Sequence, residues 1–139
     1  MKRNVQHRVY LVGLVLLLTL LGCARGMQDL PDVGVDLSIE PDPPQMGPAT
    51  VTVILTDAEG QPLEGAQMEI EGNMSHAGMV PVLAVARETS PGRYQAELEF
   101  TMVGDWFMLV RADLADGRSM ERKIDLPAVN EICGDTPEP

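Results

Sequence analysis

Arg93-Tyr-Gln-Ala-Glu-Leu-Glu-Phe100 alternates without a slip. Tyr94, Ala96, Leu98 and Phe100 fall on one side of an extended chain, and Arg93, Gln95, Glu97 and Glu99 on the other. Successive side chains of a strand point to opposite faces, so this is a strand with one face in a core and one in water. Its neighbours repeat the pattern. Trp106, Met108, Val110 and Ala112 alternate after a corner at Val103-Gly-Asp105, and Met120, Ile124 and Leu126 follow the Asp116-Gly117 turn. Upstream, Val33 to Ile39, Thr50 to Thr56 and the run Ala66, Met68, Ile70 do the same, punctuated by the prolines of 41–48 and by Asp57-Ala-Glu-Gly60. A weaker run, Pro81 to Thr89, carries Pro81 and Arg87, which suit an edge strand. Seven short strands between Val33 and Leu126 predict an all-β fold, a seven-stranded antiparallel immunoglobulin-like sandwich. The Cys…Trp…Cys framework of antibody domains is absent.

The N-terminus reads as an address. Lys2, Arg3 and Arg8 precede the uncharged run Val9–Leu21, which is too short for a membrane-spanning helix and fits the apolar region of a signal peptide. Leu20-Leu-Gly-Cys23 resembles a bacterial lipobox, so residues 1–22 are expected to be removed and Cys23 to be lipidated. Its acyl chains would anchor the protein at the outer face of the cell membrane, or at the outer membrane of a two-membrane bacterium. Residues 23–32 then form a tether, 33–127 the domain, and 128–139 an acidic disordered tail. Cys133 lies in that tail, where it could cross-link, ligate a metal or be incidental.

The chain has 139 residues and a formal net charge of −11, with 21 acidic against 10 basic residues. From Cys23 onward the balance is 21 acidic to 7 basic. Such a body repels phosphate backbones, which excludes nucleic-acid partners. Catalysis has few reagents. Once the leader is gone His76 is the only histidine, the four serines are scattered, and no phosphate loop or metalloprotease motif occurs. The expectation is a protein that is not an enzyme.

Methionine is the unusual residue. Met68, Met108 and Met120 fall on inward strand positions, where Met fills irregular gaps. The others follow strand order: if seven strands run alternately up and down, the loops near 40–48, 72–80 and 101–105 meet at one pole. They carry Met46, then Met74, His76 and Met79, then Met102. Thioethers with an imidazole suit Cu(I), and the M-x-H-x-x-M spacing of Met74–Met79 lets one loop wrap an ion. Met74, His76, Met79 and Met102 are the candidate ligands, with Met46 a lesser one. The alternative is that Met74 and Met102, both on inward parity, plug the open end of the core. Trp106 would either cover the ion through its ring face or belong to the core.

Asn73-Met-Ser-His-Ala-Gly-Met79, Ser90-Pro-Gly-Arg-Tyr94 and Phe100-Thr-Met-Val-Gly-Asp-Trp106 together resemble the YtkA-like domain, akin to the extracytoplasmic part of FixH proteins. The likeness spans residues 33–126. It implies an immunoglobulin-like fold at the cell envelope and a role in handling copper or assembling copper oxidases. It carries over to Met74, His76, Met79 and Met102. The family's loop is richer in Met and His, and FixH proteins hold a transmembrane helix where this chain has its lipid anchor. The implied partners are the membrane, through Cys23, and an envelope copper protein or oxidase. An immunoglobulin-like interaction domain without metal is the other reading.

Overall fold

The computed structural model describes residues 28–76 and 78–131. The expected signal peptide, Cys23, the first part of the expected tether, Cys133 and the rest of the expected tail lie outside them. Seven strands follow in chain order: β1 (Gly34–Glu40), β2 (Gly47–Thr56), β3 (Gln67–Met74), β4 (Val82–Ser90), β5 (Arg93–Phe100), β6 (Trp106–Asp113) and β7 (Ser119–Asp125). All pairings between them are antiparallel, in the order β1-β2-β5-β4-β3-β6-β7. This is the expected immunoglobulin-like sandwich.

One sheet contains β1, β2 and β5, the other β3, β6 and β7, and β4 belongs to both. Residues 82–86 pair with β3, whereas 87–90 pair with β5 across an irregular register at Glu88–Ser90. β4 is therefore an edge strand, as Pro81 and Arg87 suggested, and it is one for each of the two sheets. The core lies between the sheets and is filled by the inward parity of every strand. Val51, Val53 and Leu55 of β2 meet Tyr94, Leu98 and Phe100 of β5, with Ile70, Met108, Val110 and Met120 opposite. Tyr94 is buried whole, and its hydroxyl is satisfied on both sides. It donates to the Leu63 carbonyl at 2.8 Å and accepts from the Ala66 amide at 3.0 Å. Burial pushes this phenol above its ordinary pKa.

Two strands are longer than their sequence pattern. β2 begins at Gly47, where Gly47–Ala49 pairs with Leu98–Phe100, and β3 reaches Met74, which faces Trp106. Strand ends are set here by the partner strand, which local alternation does not report.

The domain also extends beyond 33–127 at both ends. Gln28 bridges Met120, and its carbonyl accepts from the Glu121 amide at 3.1 Å. Arg122 reaches Asp29 and donates to the carbonyls of Leu30 and Val33. Residues 28–32 are thus laid along β7 rather than left as tether. At the other end Val129 is buried and exchanges two backbone hydrogen bonds with Gly104, at 2.9 and 2.8 Å. Asn130 accepts from the Met46 amide and donates to the Pro44 carbonyl. Residues 128–131 therefore belong to the domain and not to the expected tail. Val129 supplies the reason, since an apolar side chain gains by leaving water wherever the fold offers a slot.

Candidate functional site

β1, β3, β5 and β7 all end at one pole. There the loops 41–46, 75–81 and 101–105 meet segment 126–131, which returns from β7 and laces the first loop to the third. Backbone bonds thus join the carriers of Met46 and Met102, which are far apart in sequence. Within the third loop the buried Trp106 indole N–H donates to the Met102 carbonyl at 2.9 Å. Its ring stacks edge-on against Phe100, 5.1 Å between centroids. Trp106 is therefore a core residue that fixes the shape of the loop. Gly104 has φ +124, and a Cβ there would come within 3.0 Å of the Met74 methyl. Only glycine fits a corner that combines this backbone with that contact.

The candidate ligands meet as the alternation of strands predicted, divided between two adjoining cavities. One of about 360 Å³ is lined by Met46, Met74, His76, Met102, Thr101, Val103 and Glu131. The second, about 760 Å³, is lined by His76, Met79 and Met102 with Gly78, Val80–Leu83 and Thr101. His76 and Met102 border both. Met74 is 8% exposed and forms part of the core, whereas Met102 is 45% exposed and Met46 is also exposed. Met79 is half-buried against the core and His76 is exposed. Of the two core plugs considered from sequence, Met74 is one and Met102 is not. Glu131 was not singled out from sequence, because its place depends on the register of Val129 and Asn130, for which the chain carries no local signal.

The four segments of the pole contain no Lys or Arg, while Asp42, Asp105 and Glu131 lie in them. The local field therefore favours a cation. Among the described residues no three His, Cys, Asp or Glu side chains gather in a way that could hold a metal ion. The donors that line the two cavities are mainly thioethers with one imidazole and the Glu131 carboxylate, and thioethers suit soft monovalent copper better than calcium or zinc. At the opposite pole Asp57 spends its carboxylate on its own turn, accepting from the amides of Glu59 and Gln61 at 3.0 and 2.7 Å.

The YtkA-like family matches residues 27–111. Among curated proteins no sequence matches. Among solved structures the chain is similar to a DUF4426-family protein from Pseudomonas aeruginosa PAO1, with a TM-score of 0.57 and 10% identity, covering 76% of this chain and 96% of that one. It is also similar to the soluble domain of PmoD from Methylocystis sp. ATCC 49242 (Rockwell), with a TM-score of 0.50 and 14% identity over 74% of this chain and 96% of that one. At such identities the likeness is one of fold.

Proposed function

Because the chain belongs to the YtkA-like family, we propose that it is a non-enzymatic binding domain of the cell envelope, anchored through a lipid on Cys23, that holds Cu(I) for transfer. One observation carries this reading: the end of β3 and three separate loops bring Met74 and Met46, His76 and Met102 around a single cavity, with Met79 in the adjoining one. The donors are soft and uncharged, as Cu(I) prefers. The acidic, Lys- and Arg-free rim attracts the ion without itself supplying a carboxylate cage.

The ligands differ in mobility, which suits an ion that must come and go. Met74 is seated in the core and offers a fixed sulfur. His76 and Met102 are open to solvent and can be exchanged for donors of a receiving protein. Gly78, at φ +89, gives the loop between His76 and Met79 a backbone other residues adopt at a cost. Transfer is then ligand exchange: the partner, an envelope copper protein or an oxidase under assembly, displaces the exposed donors first and Met74 last.

The test is a Cu(I) titration of the full chain in detergent micelles, in competition with a chromogenic Cu(I) chelator. Stoichiometric, sub-micromolar uptake is expected, weakened at least about tenfold in a His76→Ala/Met79→Leu variant. Competition no stronger than that of the variant would leave an immunoglobulin-like interaction domain without metal.

A further inference from the structure

The sandwich has an unprotected seam. Because β4 pairs with β5 only from Arg87 onward, residues 82–86 of β4 and 96–100 of β5 each lack a ladder partner on the side where the sheets part. In an antiparallel pair only alternate residues turn their N–H and C=O toward the neighbour, so part of the Val82–Ala86 backbone faces the open side. Proteins commonly blunt such edges with charge, proline or a cover. The outer edges here follow that habit. β1 carries Asp36 and Glu40, and β7 carries Arg122, Lys123 and Asp125 and is bridged by Gln28. Val82-Leu-Ala-Val-Ala86 holds no charge, and on its outward parity Leu83 is 62% and Val85 73% exposed.

We propose that this open edge of β4 receives an extended segment of a partner protein as an added strand, a segment in which apolar and basic residues alternate. The backbone edge supplies hydrogen bonds, and Leu83 and Val85 supply the apolar contact of strand addition. Charge selects the basic residues. Glu97 and Glu99 stand exposed on the outer face of β5, the strand across the seam, neither has an ion-pair partner among the described residues, and the acidic balance of the whole chain adds to their field. A second copy of this chain would set the same carboxylates and a net charge of −11 against themselves. The chain's own residues 132–139 add Asp135 and Glu138, which disfavours them equally. The seam opens at the cavity that Val82 and Leu83 share with His76, Met79 and Met102, so a docked strand would end beside those donors. The docking itself requires no metal.

Hydrogen–deuterium exchange on the full chain in detergent micelles, without copper, tests the proposal. The probe is a synthetic heptapeptide alternating Lys and Val; the controls alternate Glu and Val, or replace its valines with proline. Saturable protection confined to residues 80–90 is expected with the Lys–Val peptide, and none with either control. Leu83→Lys/Val85→Lys changes only exposed side chains and should weaken binding at least about tenfold. Unchanged exchange at 80–90, or equal binding of the Glu–Val peptide, would overturn the proposal. Protection that rises with protein concentration in the absence of peptide would overturn it in favour of self-association. A failed copper titration beside a positive exchange result would leave the docking edge standing and remove only the metal reading.

Discussion

Met74 and His76 are two residues apart and do different work. Met74 ends β3 with its side chain under Gly104, in a space closed by the corner that Trp106 holds. His76 stands outside in the loop. Met74→Ala is expected to cost about 2–5 kcal/mol in chemical denaturation, because truncating a buried side chain loses transfer energy and leaves a cavity. His76→Ala should stay within about 0.5 kcal/mol of wild type, as exposed substitutions do, while lowering Cu(I) affinity in the titration above. If His76→Ala destabilises as much as Met74→Ala, the histidine is structural and the metal reading loses its imidazole. The residue identities of the candidate site were legible from strand parity and loop order. The split in burial between Met74 and Met102 was not, because both share inward parity and differ only in whether a neighbouring strand continues past them.

At the level of elements, Arg111 on the outer face of β6 ties three strands together. It contacts Glu69 and Glu71 of β3 and Glu121 of β7, the last at 2.7 Å. The Asn73 amide first and the Arg111 guanidinium second hold the Glu71 carboxyl below its usual value. A carboxyl depressed in this way contributes stability at pH above its unfolded value, near 4.5, and loses it as pH falls through the folded value. Arg111→Ala should therefore cost about 0.5–1 kcal/mol at pH 7 by urea denaturation, and the gap to wild type should narrow below pH 4.5. A gap that stays constant with pH would assign the effect to lost packing of the arginine stem. The strands themselves could be read from sequence because each sheet keeps one wet face, so polar and apolar residues must alternate. The double membership of β4 could not. It arises where two twisted sheets diverge, and no residue in Val82–Ser90 marks the point.

For the whole molecule, the segment past β7 decides how the candidate site is assembled. Val129 and Asn130 bind the 41–46 loop to the Gly104 corner, so Met46 and Met102 keep their relation through residues that neither loop contains. A chain ending at residue 127 should lose roughly 2 kcal/mol from the burial of Val129 alone, or about 8–16 °C in thermal unfolding, and should bind Cu(I) more weakly than one ending at 131. Equal stability of the two chains would show that the lacing contributes nothing. The all-β class, the number of strands, their turns and the pole holding the methionines follow from the amino-acid order, because alternation and turn chemistry are local and act within a few residues. Strand lengths, the two-sheet role of β4, the docking of 28–32 and 128–131 and the entry of Glu131 into the cavity follow from tertiary packing. They depend on which surfaces meet across the sandwich, and pairing at long sequence separation leaves no trace in any one stretch of chain.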